Sequence, residues 1–240
     1  MRKRLFFFIS TAFLPKKLKF GGHMRNSVSM LNKLMPETGM TMNWLETLKD
    51  KHMDTYRHSL RVAWLAEKLT TVLPISDKDR QEIVSGCLLH DIGKLLIPNE
   101  ILDSMKPLTR KEWELIEEHP QLGAYLLRHD NIGLTTMHVI RHHHERWDGT
   151  GYPSKLKGQH IPYGAIVCSV LDAFDSMVVD RPYREGKPIE EAIRELFAHA
   201  GTQFSLPIVE CFASMADQVR IFYETTPVRS RPDDQGGAVL

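Results

Sequence analysis

Two short stretches hold residues able to act together in catalysis. One is His90-Asp91, within Leu88-Leu89-His90-Asp91-Ile92-Gly93-Lys94. The other is His143-His144-Glu145-Arg146-Trp147-Asp148-Gly149-Thr150-Gly151-Tyr152-Pro153. A His-Asp pair directly after an apolar run offers an imidazole and a carboxylate at almost the same point. Both are ligands for a hard or borderline divalent ion, and a carboxylate can bridge two such ions. The second stretch adds two more imidazoles, then a loop containing Gly149 and Gly151.

Other candidate ligands stand in apolar helical segments or at their ends: Asp54, His58, His119 and Asp172. Singly, each feature has a plain explanation. A His-Asp dyad arises by chance, His142-His143-His144 can be a solvated run, Lys94 a surface lysine, and Asp172 a cap or an ion-pair partner. Together they are harder to dismiss, because burying an unpaired carboxylate costs several kcal/mol. Metal ions compensate that cost, since carboxylates and neutral imidazoles are ligands they prefer. No thiolate belongs to the set, which argues for iron or manganese over structural zinc. Two adjacent ions lower the pKa of a water and clamp a phosphoryl group for in-line attack. Lys94, one turn after Asp91, could neutralise a phosphate oxygen or protonate a leaving group.

The elements that must position these groups are helical throughout; no strand alternation is present. Val62, Leu65, Ala66, Leu69 and Leu73 recur at helical spacing, with His58 and Asp54 preceding on the same face. This helix should end near Pro74, and Ser76 or Asp77 should cap the next. Ile83, Val84, Cys87 and Leu88 stripe that second helix, His90-Asp91 close it, and Gly93 suits its exit. Thr109-x-x-Glu112 predicts a capping box opening a further helix, with Trp113 and Ile116 inward. His119 precedes Pro120, which disfavours helical geometry at His119 and predicts a break there. Leu134 to Trp147 reads as one helix, Asp148 to Pro162 as a loop, and Ile161 to Val179 as a long apolar helix. Ile189 to Ala200 and Leu206 to Tyr223 supply the last two.

Composition sets outer bounds. The 240 residues fit one large domain, and 42% hydrophobic residues suffice for a sizeable core. With 31 basic and 30 acidic residues the chain has no electrostatic footprint for DNA or RNA, so an anionic ligand needs a local basic pocket. Cys87, Cys168 and Cys211 form no C-x-x-C pair and read as buried free thiols in a reducing cytoplasm. The basic Met1–Arg4 and apolar Leu5–Leu14 resemble a targeting segment. It is too short to span a bilayer and has no A-x-A site after it. A disordered leader or misassigned start is the preferred reading, with Met24 and Met30 as alternative starts and weak membrane association as the other outcome. Residues 1–39 are therefore expected to be a poorly ordered leader, 40–224 the folded domain, and 225–240 a disordered tail.

The combined spacing over residues 50–223 resembles the HD-GYP family of HD-domain metal-dependent phosphohydrolases. His90-Asp91-Ile92-Gly93-Lys94 is similar to its HD signature, and His143 through Pro153 to its HHE-x-W-DG-x-GYP signature. Leu171-Asp172-Ala173-Phe174-Asp175 and Arg181-Pro182-Tyr183-Arg184 are similar to downstream blocks. The resemblance implies an all-α fold, a single HD-type helical bundle with a metal centre between helices. It implies hydrolysis of cyclic di-GMP to pGpG and/or GMP by metal-activated hydroxide, with two or three divalent ions, iron or manganese. His58, His90, Asp91 and Asp172 would hold one ion. Asp91 would bridge to a second held by His119 and His143, and His144 with Asp54 would serve a third ion or a water. Lys94 would contact the scissile phosphate, Arg181 and Arg184 would grip its oxygens, and Gly151, Tyr152 and Pro153 would shape the substrate loop. GGDEF-domain proteins are the implied partners, with a homodimer as candidate assembly. The chain departs from the family at Asp54, where glutamate is common, and at Ser205, where an acid is usual and a capping role is expected. The alternatives are a catalytically weak adaptor, or an HD hydrolase acting on another cyclic dinucleotide or phosphoester.

Overall fold

A computed structural model of the chain describes residues 39–180 and 184–225. The expected leader up to residue 38, the tail from 226 and the candidate residue Arg181 lie outside the described residues.

Local chemistry explains most helix boundaries. Helix α1 (Gly39–Lys51) ends with Lys51, whose ammonium donates to the carbonyls of Leu95 and Ile97, both at 2.6 Å. Helix α2 (Met53–Thr70) is capped by His52, whose Nδ1 accepts from the Thr55 amide. Ser76 caps α3 (Asp77–Leu89) by accepting from the Asp79 amide. A 3-10 turn, Ile92–Leu96, follows His90-Asp91 at once, and a short α4 (Asn99–Leu102) comes next. The expected capping box is present at α5 (Arg110–Glu117): Thr109 and Glu112 bond reciprocally. Helix α6 (His119–Leu126) begins at the predicted break.

The remaining helices are α7 (Leu134–His142), α8 (Tyr163–Val178), α9 (Ile189–Ala198), α10 (Leu206–Ala213) and α11 (Ala216–Thr225), with a second 3-10 turn at Gly158–His160. No strand occurs among the described residues, which form an all-α bundle. Helices α2, α3, α7 and α8 pack on one another around the core. Helix α8 is buried nearly all round, from Ala165, Val167 and Cys168 to Leu171 and Phe174, as its apolar run requires.

Several sequence expectations are corrected. Trp113 points outward, 53% exposed, because α5 is a two-turn surface helix with no buried residue. The helix expected through Trp147 stops at His142, and the chain turns at His143, which frees His143 and His144 from one helical stripe. The last helix is broken between Ala213 and Ala216. Ser205 occupies the N-cap of α10 but makes no side-chain cap bond, so its hydroxyl does not do the expected capping. Of the thiols, Cys87 and Cys168 are buried and Cys211 only partly so.

Gly93 does more than terminate α3. A Cβ there would lie 1.9 Å from the His119 carbonyl oxygen and 2.6 Å from the Gly123 amide nitrogen. The 3-10 turn and α6 therefore touch backbone to backbone, which brings Asp91 beside His119. Because the obstacle is backbone, Gly93→Ala should destabilise the fold by about 3 kcal/mol or more. Chemical denaturation of the two proteins tests this, and an unchanged midpoint would refute the close approach.

Candidate metal centre

The imidazoles are aimed by what holds their Nδ1 atoms. His90 Nδ1 lies 2.7 Å from the Cys87 carbonyl, His119 Nδ1 2.6 Å from that of Ile116, and His143 Nδ1 3.0 Å from that of Ile140. A carbonyl oxygen only accepts, so each Nδ1 carries the proton and donates it. His58 Nδ1 lies 2.6 Å from a carboxylate oxygen of Asp175 and donates likewise. Each of the three is tied to the carbonyl three residues before it, a bond that the preceding helical turn places within reach. All four Nε2 atoms are left facing one space between α2, α3, α6 and the end of α7.

There they crowd. His58 Nε2 is 3.2 Å from His90 Nε2 and 3.1 Å from Asp172 Oδ1. His119 Nε2 is 3.1 Å from His143 Nε2. Two nitrogen lone pairs do not face each other at that distance without a proton or a cation between them. Ligand atoms of His58, His90 and Asp172 form one group within 4.8 Å of one another, those of His119, His143 and His144 form a second, and Asp91 makes a third with His90 and His143, one residue from each. Asp91 stands between the groups: Oδ1 is 3.2 Å from His119 Nε2, and Oδ2 is 3.5 Å from His90 Nε2 and 3.8 Å from His58 Nε2. Lys94 Nζ donates to the same Oδ2 at 2.6 Å.

Ionisation suits metal binding. Burial pulls His90, His143 and His144 down, His144 to about 3, so these rings are neutral and keep their lone pairs. Burial opposes the charge on Asp91, but Lys94, His90 and His119 hold its carboxyl well below the usual range. Asp172 is likewise anionic despite burial, through its bond to His58. Neutral imidazoles with ionised carboxylates and no thiolate are the donor set of iron, manganese and similar ions. These residues therefore fit divalent ions.

The structure leaves Asp54 out of both groups. Its carboxylate is 71% exposed and faces Arg57 at 4.0 Å. Asp54 sits in the first turn of α2, where a carboxylate complements the helix N-terminus. His144, expected beside Asp54, joins His119 and His143 instead. Its ring stacks on Tyr152, centroids 4.8 Å apart, and the Tyr152 amide donates to the His144 carbonyl at 3.2 Å. Gly151 is pressed against the backbone of residues 144–146, its missing Cβ within 2.7 Å of three backbone atoms. Arg184 turns its guanidinium to the Ser176 carbonyl, one turn past Asp172.

A supporting network lies behind His58, beyond the candidate ligands named from the sequence. Asp175 accepts from His58, from Arg61 Nε and Nη2 at 2.7 and 2.9 Å, and from the Tyr223 hydroxyl at 2.5 Å. One signal was available: His58-x-x-Arg61 and Asp172-x-x-Asp175 share a three-residue spacing, as two facing helices would. Tyr223, from a distant helix, left no such mark.

A family model described as HD domain matches residues 43–205. The chain belongs to the HD-domain family, in its HD-GYP branch. This HD-GYP chain is 37% identical over 184 residues to a protein named cyclic di-GMP phosphodiesterase from Thermotoga maritima, covering 76% of this chain and 50% of that one. It is 29% identical to a protein named 3'3'-cGAMP-specific phosphodiesterase 2 from Vibrio cholerae, covering 75% of this chain and 35% of the relative. The chain thus spans half or less of the length of these curated relatives. Among solved structures it is similar to Bd1817, described as an HDG"Y"P protein from Bdellovibrio bacteriovorus, at 26% identity and a TM-score of 0.56, covering 67% of this chain and 51% of that one. No helix among the described residues is long and apolar enough to cross a membrane.

Two outcomes follow for this HD-GYP centre. Asp175→Asn cannot both accept from Arg61 and hold the His58 proton as an anion does, so affinity at the His58 group should fall about 10–100-fold. Metal titration checks it; unchanged affinity would remove Asp175 from the centre. Second, burial lowers His58, but Asp172 and Asp175 more than offset it and raise His58 to about 9 in the ion-free protein. A raised pKa means the protonated form is favoured below it, and an ion must displace that proton. Apparent affinity should therefore rise about tenfold per pH unit from 7 to 9 and then level off. Calorimetry in two buffers reads the proton released, and a flat profile would contradict the assignment.

Proposed function

We propose that this chain is a metal-dependent phosphodiesterase that hydrolyses cyclic di-GMP to pGpG, GMP or both. The observation that carries the reading is the Asp91 carboxylate, set between two three-ligand groups with the Lys94 ammonium on the same oxygen. That is the arrangement a bridged ion pair requires, and a named cyclic di-GMP phosphodiesterase shares 37% identity across it. Bound divalent ions supply Lewis-acid charge for the phosphodiester and a hydroxide nucleophile near neutral pH.

The protein's own groups do the rest. His58, His90 and Asp172 would hold one ion and His119, His143 and His144 another, with the Asp91 carboxylate within reach of both groups. Lys94 is a quarter exposed, and its ammonium is assigned to a phosphate oxygen or the leaving oxygen. Tyr152, stacked on His144, walls the site and offers a ring face to a base. Arg181 and Arg184 are assigned to phosphate oxygens, a role suited to a guanidinium fork. Iron or manganese is the preferred ion from the ligand types. GGDEF-domain partners rest on the resemblance, a cytoplasmic setting on the unpaired cysteines and a domain spanning 40–224 on the sequence pattern, and a homodimer is the candidate assembly. A cyclic GMP-AMP substrate is the second reading, favoured by the name of the Vibrio relative.

The test is elemental analysis of anaerobically purified protein, followed by chromatography of products from cyclic di-GMP and 3'3'-cGAMP. Metal-loaded protein that cleaves neither would sink the reading, and preference for the mixed dinucleotide would select the second. Asp91→Ala should lose both ions and all measurable turnover, because it removes the only bridge proposed. Full metal stoichiometry in that variant would show that Asp91 does not bridge.

A further inference from the structure

Glu145 is buried, its carboxylate wholly out of solvent, yet it belongs to neither ligand group. Its Oε1 accepts from the Ser154 amide at 2.7 Å and its Oε2 from the Leu156 amide at 3.0 Å. His142 Nδ1, which has no hydrogen-bond partner, stands 3.5 Å from Oε1. Both carboxylate oxygens are thus taken up by the loop that follows Tyr152. A buried anion that receives two backbone N–H groups is among the stronger attachments a loop can have. The same loop meets the same segment at two further points, Gly151 against the backbone of 144–146 and the Tyr152 amide on the His144 carbonyl. Between these three attachments sits the Tyr152 ring, flat against His144.

We propose that Glu145 is a positioning residue: it clamps the 151–156 loop onto the 144–146 turn, so that Tyr152 is held over the His144 side of the centre. The turn itself makes the clamp reachable. Because α7 stops at His142, His143 and His144 face the ions while Glu145 is carried round to the loop side. One short segment therefore supplies ion ligands and fixes the wall of the substrate site. The effect on turnover rests on the phosphodiesterase reading; the effect on the loop does not.

The experiment compares Glu145→Gln with the parent protein by amide hydrogen exchange, metal content and steady-state kinetics on cyclic di-GMP. Glutamine keeps the shape and one acceptor oxygen but sets an NH2 against the second loop amide. Exchange at Ser154 and Leu156 should rise roughly tenfold to hundredfold, the size of one charge-assisted hydrogen bond. Core amides of α3 and α8 should keep their protection, and metal content should not change. KM should rise several-fold while kcat falls less, since a loosened wall weakens substrate binding before it touches the reacting groups. Glu145→Asp, which keeps the charge but loses reach, should give a smaller shift of the same kind, and it serves if the glutamine variant does not fold. Unchanged exchange at Ser154 and Leu156, or an equal rise across core and loop, would overturn the proposal. Parent protein that turns over no cyclic dinucleotide would refute the phosphodiesterase reading and leave the exchange result to decide the clamp.

Discussion

Everything at the centre depends on one electrostatic constraint: several imidazoles and ionised carboxylates share a buried space. His90, His119 and His143 each give a proton to a carbonyl three residues earlier, and His58 gives one to Asp175. That leaves three Nε2 atoms converging on Asp91, joined by that of His58 once an ion displaces the proton that Asp172 and Asp175 hold there. Such a cluster repels itself unless protons or cations lie within it. A helical bundle would not keep this arrangement for packing alone, because apolar side chains of equal volume would avoid the desolvation cost. The bundle's shape follows from meeting this constraint: α2, α3, α6, α7 and α8 each deliver at least one ligand to the same point.

Delivery depends on places where regular helix gives out. His90 and Asp91 lie where α3 passes into a 3-10 turn, so their side chains diverge toward different partners. His119 opens α6 ahead of a proline, and His143 closes α7. Residues at helix ends can turn inward in ways that a continuous stripe cannot. Gly93 allows two backbones to touch, which closes the gap between Asp91 and His119. His90, Asp91, His119 and His143 are thus carried by chain breaks, while His58 and Asp172 stand within α2 and α8, and the long apolar faces of α3 and α8 hold those breaks in register.

The supporting residues divide the work. Asp175, with Arg61 and Tyr223, fixes the direction of His58 from behind α2 and α8. Glu145 does for the Tyr152 loop what Asp175 does for His58: a buried carboxylate whose oxygens are saturated by donors that need orienting. In both cases the charge is tolerated because its partners are fixed and numerous. Asp54 shows the contrary case. It lies one turn from His58 on the same helix, yet it meets solvent and Arg57.

Much of this was legible from residue types and spacing alone. The all-α class, the capping box at Thr109, the break at His119 and the ligand types followed from periodicity, caps and the cost of burying charge, and the HD-GYP likeness from two contiguous motifs. Periodicity does not supply the direction of side chains at helix ends: Trp113 lies outward, α7 stops at His142 and Asp54 meets solvent and Arg57. Asp175, Arg61 and Tyr223 are distributed over three helices and acquire meaning only when those helices pack. The sequence by itself determined which atoms can bind an ion, because that is a property of each side chain. Which of those atoms share one ion was decided by tertiary structure, because their distances depend on how α2, α3, α6, α7 and α8 pack and where each one ends.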